Sequence, residues 1–182
     1  MNPRVALRPL TLRDAEVAAR WGDDDEFSAY AGWTVGRPAR EREEFWRELV
    51  TRPPDDLLRL AALDRTAGAE SDLVGYVDLH GLEPDRRELG YLVGSRDHWG
   101  RGWGGAIAAS GLDHGFRVLG LDEIWAEAVD ANAPSVRILQ RLGLTETGRG
   151  DDATFLGEPT YHRTFAITRA EWAARPIGQA GR

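Results

Sequence analysis

Residues 88–118 read Glu-Leu-Gly-Tyr-Leu-Val-Gly-Ser-Arg-Asp-His-Trp-Gly-Arg-Gly-Trp-Gly-Gly-Ala-Ile-Ala-Ala-Ser-Gly-Leu-Asp-His-Gly-Phe-Arg-Val, and their order decides the fold. Leu89 to Val93 is a strand, followed by a polar turn and a glycine-dense bend at Gly100, Gly102, Gly104 and Gly105. The helix that follows sets Ala109, Leu112, Phe116 and Leu119 on one face, at spacings of three and four. Where it begins, the glycines leave backbone N–H groups without side-chain cover. A helix N-terminus has unpaired donors and the positive end of a dipole, so this bend suits a phosphate or pyrophosphate.

Gly100, Gly102 and Gly105 also fit the dinucleotide fingerprint G-x-G-x-x-G. In that fold the first glycine turns directly out of the strand that opens its unit. Here six residues separate Val93 from Gly100, and much of the chain comes first. The spacing argues against a dinucleotide.

Composition narrows the classes further. With 182 residues, 42% hydrophobic and 29% charged, the chain suits one globular domain over residues 1–182. A net charge of −7 argues against a nucleic-acid surface, which needs a basic stripe, and is compatible with a cationic partner. Cysteine is absent, which excludes disulfides, thiol nucleophiles and thiolate metal sites, and the four histidines lack metal-ligand spacing. No apolar run approaches membrane-spanning length and the opening residues lack an apolar signal region, so neither a membrane nor a metal is expected and the location is read as cytoplasmic.

Outward from the glycine bend, strand patterns cover Val5 to Leu10, Leu57 to Leu63 and Leu73 to His80, with turns at 64–71 and 81–87. Thr11 and Asp14 form a capping box for a helix through Trp21. The carboxylates 23–26 read as a solvated loop, and a helix is expected from about Pro38 to Val50. Downstream, Leu121 to Asp130 is a strand. Asn132, Pro134 and Ser135 then open a helix whose stripe is Val136, Leu139 and Leu142 and which Gly143 stops. Two strands around a loop at 151–159, a capping-box helix at 168–172 and a disordered tail at 173–182 complete the reading. Strands in a run, then strand–helix–strand–helix, indicate a mixed α/β sheet.

Trp99-Gly100-Arg101-Gly102-Trp103-Gly104, after Glu88-Leu89-Gly90-Tyr91, resembles the acetyl-CoA loop of GNAT N-acetyltransferases, Gln/Arg-x-x-Gly-x-Gly/Ala. Gly102 and Gly104 match, while Trp99 stands where Gln or Arg is usual. That wording is similar to the RimJ/RimL branch of ribosomal-protein N-terminal acetyltransferases. The Asn132-x-x-Ser135 helix ending in Leu142-Gly143-Leu144 has the same resemblance, with Leu144 for the usual Phe. So do the opening Arg8-Pro9-Leu10-Thr11-x-x-Asp14 and the closing Thr168-Arg169-x-Glu171-Trp172.

The resemblance covers about residues 4–172. It implies the GNAT fold, a single mostly antiparallel central sheet with splayed central strands flanked by helices, and acetyl-CoA as co-substrate. Pantetheine would run along Leu92 and Val93, and one of their N–H groups would polarise the thioester. The pyrophosphate would rest on the amides of Arg101, Gly102, Trp103, Gly104, Gly105 and Ala106, while Arg96 reads more simply as a solvated cation. Asn132 would bond the pantetheine or fix its helix. GNAT enzymes attack directly, which agrees with the lack of cysteine. Glu88 is the first choice of base, with His80 and Asp78 as alternatives. The family's acid tyrosine position holds Leu139, leaving Ser135 near the sulfur. Tyr30, Trp33 and Asp78 are expected on the acceptor side. The implied acceptor is a primary amine, either a protein N-terminus or a small molecule. Homodimers are a family habit. The alternative is a non-catalytic acyl-CoA-binding regulator.

Overall fold

Alternation and helical spacing sort the chain into seven strands and six helices in a computed structural model, which describes residues 4–66 and 72–175. In chain order they are β1 (Val5–Pro9), α1 (Leu12–Trp21), α2 (Asp25–Tyr30), α3 (Ala39–Thr51), β2 (Leu57–Asp64), β3 (Leu73–His80) and β4 (Arg86–Val93). Then follow α4 (Trp103–His114), β5 (Glu123–Val129), α5 (Ala133–Arg141), β6 (Thr145–Phe155), β7 (Glu158–Thr168) and α6 (Arg169–Ala173). The strands form one sheet in the order β1-β2-β3-β4-β5-β7-β6, antiparallel except for β4 and β5. This is the expected mixed, mostly antiparallel class.

Each face of the sheet buries a different set of helices. One core joins Val77, Leu79, Leu89, Ile124 and Phe165 of the strands to Ile107 and Leu112 of α4 and Leu139 of α5. Glycine decides how closely α4 approaches, since a Cβ at Gly111 would lie 2.7 Å from Leu89 and 2.8 Å from Val77. The other core sets Ala15, Ala18 and Ala19 of α1 and Trp46 of α3 against Tyr76. The Thr11–Asp14 capping box forms as expected. Asp14 also takes two hydrogen bonds from Arg8, at 2.5 and 2.9 Å.

Four local expectations change. The acidic run is only half loop: Asp23 and Asp24 lie in the turn, while the Asp24 side chain accepts from the Phe27 amide at 3.0 Å and caps α2, which takes in Asp25 and Glu26. Strand β4 starts at Arg86 because 86–88 pair with β5. The chain after α4 widens into a π turn over 115–119, which carries Leu119 off the buried stripe to the surface. The loop expected at 151–159 is ladder, with Phe155 opposite Glu158 around a turn at Leu156 and Gly157. Both turn residues have positive φ, 52° and 88°, as a two-residue hairpin requires. Hairpin exposure hides that strand: β6 is solvated along most of its length, so its sequence lacks an apolar alternation.

Of the expected tail, Ala173 closes α6, Ala174 caps it and Arg175 stacks on Trp172 at 4.3 Å. Residues 176–182, like 67–71 of the 64–71 turn, lie outside the described residues. Among the described residues no helix is long and apolar enough to cross a membrane, and no cluster of three or more His, Asp or Glu could hold a metal.

Candidate active site

The site begins where β4 leaves β5. Their parallel pairing covers only Arg86–Glu88 against Glu123–Trp125, and beyond it the strands part. The Gly94 amide donates to the Val74 carbonyl at 2.8 Å. Antiparallel alternation then turns the N–H and C=O of Glu88, Gly90 and Leu92 toward β3, and those of Tyr91 and Val93 toward the gap. Of the two amides considered for the thioester, Val93 faces the gap and Leu92 faces β3.

The glycine bend lies at the open end of that gap. Gly100 and Gly102 adopt φ of 71° and 86°, which swings the chain into α4 without a side-chain cap. The Ala106 amide is spent on the Gly102 carbonyl at 3.2 Å. The amides of Trp103, Gly104 and Gly105 have no backbone partner among the described residues. A Cβ at Gly105 would meet open space, whereas one at Gly104 would lie 2.7 Å from Ile138, so among the described residues the helix start is open on its Gly105 side. The Trp103 ring itself is buried in the core, 5.9 Å from His98, and only its backbone reaches the bend. Arg101 is exposed there and forms no ion pair among the described residues. Arg96 is paired with Asp24 and Glu26. A cradle of unspent amides with one free arginine fits a pyrophosphate.

Glu88 stands at the last paired position, half-buried on the α1/α3 face. Burial, then the charges of Glu127 and Asp78, push its carboxyl above the usual range, against the opposing pull of His80 and His162. Its Oε2 is 4.0 Å from His80 Nδ1, whose Nε2 lies 3.1 Å from Asp56. Neither neighbouring arginine pairs with it among the described residues: Arg86 bonds Glu123 at 2.6 Å, and Arg87 Nε is buried without a hydrogen-bond partner there. Asp78 faces the same side, but Arg59 holds both its oxygens at 2.6 Å.

On the opposite face of β4, the Asn132 side chain accepts from the Ser135 amide at 3.3 Å and caps α5. Ser135 Oγ lies 2.9 Å from Tyr91 Oη, which also reaches the Ser135 carbonyl at 3.3 Å. Burial, partly opposed by the Ser135 contact, pushes the Tyr91 phenol up to about 12. It therefore stays protonated, and either hydroxyl can donate in the 2.9 Å contact: when Tyr91 donates, the serine's own hydrogen is free to turn elsewhere. Tyr91 was not singled out in the sequence. Its parity opposite Glu88 was the available signal, but the meeting with Ser135, 44 residues away, needs the packing of α5 on β4.

The expected acceptor aromatics separate. Trp33 lines a cavity of about 260 Å³ with Phe45, Trp46, Arg59 and Tyr76. Tyr30 packs instead on Trp99 of the glycine bend (5.3 Å) and Phe155 of the hairpin tip (5.6 Å). Phe27 joins the two groups, 6.2 Å from Trp99 and 5.2 Å from Trp33. A more open cleft of about 660 Å³ lies between Trp21 and Arg96, where Asp24 and Glu26 hold the arginine.

A family model described as an acetyltransferase (GNAT) domain matches residues 4–145. The chain is 25% identical over 150 residues to a protein of Bacillus licheniformis named uncharacterized N-acetyltransferase p20, covering 80% of this chain and 81% of that one. Among solved structures, a GNAT-family acetyltransferase from Bacillus anthracis superposes with a TM-score of 0.76 at 19% identity, over 94% of this chain and 98% of the other. A spermidine N-acetyltransferase from Vibrio cholerae, in complex with CoA and spermine, gives 0.77 at 18% identity over 93% and 98%. At these identities the two likenesses show the shared fold.

Proposed function

We propose that this chain, which belongs to the acetyltransferase (GNAT) family, moves an acetyl group from acetyl-CoA to a primary amine by direct attack. One observation carries the reading: β4 parts from β5 immediately after Glu88, beside a helix start whose amides are unspent. When bound, acetyl-CoA supplies an activated thioester. Amides from Trp103 to Gly105, with Arg101, would hold its pyrophosphate, and the gap edge at Tyr91 and Val93 would receive pantetheine. The Val93 N–H would donate to the thioester oxygen as negative charge develops there.

Transfer also needs a neutral amine and a tolerated thiolate. Glu88 is the base in this reading, because its raised pKa brings it closer to the range in which a carboxylate can both accept and release a proton. His80 lies between Glu88 and Asp56 and would carry that proton toward solvent. Ser135 would offer its hydrogen to the departing sulfur in the arrangement in which Tyr91 donates to the serine oxygen. This pair supports an enzyme over a binding-only regulator. The Trp-Gly-x-Gly wording of residues 99–102 supports the RimJ/RimL branch, and Trp33 supports an aromatic acceptor wall.

The test is a thermal-shift titration with acetyl-CoA, CoA and NADP, followed by free-thiol release across an amine and peptide panel. Stabilisation by the two CoA compounds alone, with thiol release that requires an amine, is the expected result. A larger shift with NADP, or CoA binding without release for any amine, would overturn it.

A further inference from the structure

The cavity behind Trp33 has a charge and shape that select a class of acceptor. Its walls are the rings of Trp33, Phe45, Trp46 and Tyr76, and its lining includes Arg37, Arg42 and Arg59 but no carboxylate. Arg42 is fully engaged, by the carbonyls of Ala19 and Arg37 and by Asp23. Arg59 is different. It lies 4.3 Å over Tyr76 and 5.2 Å from Trp46, which fixes the plane of its guanidinium. Nε and Nη2 are spent on Asp78, whereas Nη1 makes no hydrogen bond among the described residues. Arg37, stacked on Phe45 at 5.3 Å, adds a second guanidinium, ion-paired with Glu41 through Nε at 3.6 Å.

Such a lining has no carboxylate of its own to hold a polycation, and the N–H groups that Arg59 and Arg37 leave unspent can receive an anion. Arg59 matches a carboxylate, which a fixed guanidinium meets with directed N–H groups. At about 260 Å³ the cavity is smaller than the roughly 300–1,000 Å³ usual for drug-sized ligands. Arg59 also leads toward the base, since Asp78 pairs across the sheet with Gly90, two positions beyond the His80–Glu88 pair and on the same face. A Cβ at Gly90 would come within 3.2 Å of Asp78, so glycine there makes room for the Arg59–Asp78 pair between the cavity and Glu88.

We propose that the acceptor is a small amine that also carries a carboxylate and an apolar or aromatic side chain, as a free amino acid does. Arg59 Nη1 and Arg37 take its carboxylate, the four rings cover its side chain, and its amine points toward Glu88. The proposal rests on the acetyl-transfer reading and names its substrate.

Three probes separate the outcomes for the purified full chain: phenylalanine, phenethylamine (the same amine without the carboxylate) and spermidine. We expect kcat/KM for phenylalanine to exceed that for phenethylamine by roughly tenfold or more, the discrimination a charge-assisted hydrogen bond gives. Arg59→Lys keeps a cation beside Asp78 but removes the free Nη1. It should bring the two rates close to parity, mainly by raising KM for phenylalanine, while circular dichroism shows an unchanged fold. Arg37→Gln should reduce the preference severalfold. Faster turnover of phenethylamine or spermidine, or an unchanged preference in folded Arg59→Lys, would overturn the proposal while leaving acetyl transfer intact. If no amine is acetylated, thermal shift by phenylalanine in the presence of CoA decides. An Arg59-dependent shift would keep the site and discard the reaction, and no shift would discard both.

Discussion

Glu88 and Tyr91 are three positions apart on β4 and point to opposite faces, which in the proposed reaction would set them at opposite ends of a proton's path. Glu88→Gln should lower kcat by roughly 10²- to 10⁴-fold, the span of general-base effects. The wild-type kcat/KM should rise with pH through a midpoint above the ordinary carboxylate range, and this limb should vanish in Glu88→Gln. Stability has the opposite sign. A carboxyl whose pKa is raised by folding binds its proton more tightly in the native state, so its favourable contribution exists at low pH and is lost as pH rises through the folded pKa. The Gln variant should therefore melt at or above the wild-type temperature at pH 8, with the difference closing near pH 4. Tyr91→Phe should reduce kcat severalfold and leave KM for acetyl-CoA within about twofold. Adding Ser135→Ala should cost little more, the signature of one coupled unit in a double-mutant cycle. Glu88 was legible because a carboxylate at the head of a central strand is visible in one dimension. The Tyr91–Ser135 contact and the clasp of Arg59 on Asp78 were not, because tertiary packing creates the first and strand pairing the second.

Helix α4 shows how one element serves two demands. Its middle needs Gly111 so that it can sit close on Leu89 and Val77, and its start needs Gly105 for access. Replacing Gly105 by Ala removes a flexible helix residue and meets no protein atom within 4 Å, so stability should rise by up to about 1 kcal/mol. The same methyl stands among the unspent amides and should raise KM for acetyl-CoA severalfold. A melt and a KM measurement on one variant thus separate the two roles. If KM does not change, the pyrophosphate does not rest there. The sequence made this element legible because glycine density and apolar spacing coincide. It made α2 illegible because a six-residue helix opening with Asp25 and Glu26 resembles any acidic loop until Asp24 is seen to cap it. Strand β6 was half-legible for a related reason, since a solvated hairpin arm has no buried stripe to betray its length.

At the scale of the molecule, the sheet consists of two unequal parts joined at its centre by three residues of parallel pairing and roofed on one side by α4. Bound acetyl-CoA lying in the gap would stitch the two parts together. At one hundred times its Kd it adds about 2.7 kcal/mol to stability, and hydrogen exchange should slow at the amides of Tyr91 and Val93 while Leu92, committed to β3, changes little. Uniform slowing across β4 would place the ligand elsewhere. The order of elements and the sheet class were legible because they follow from patterns that repeat. The parting of the strands was expected only through resemblance, since no residue type encodes a missing ladder. A last consequence follows from the aromatic chain that runs from Phe155 through Tyr30, Trp99, Phe27, Trp33 and Trp46 to Tyr76. Trp99 belongs to the bend that would grip the donor, and Trp33 to the wall that would meet the acceptor. An occupant that orders these rings at one seat would benefit the other seat without touching it. Linkage makes that benefit reciprocal: whatever factor the first substrate contributes to the affinity of the second, the second returns in full.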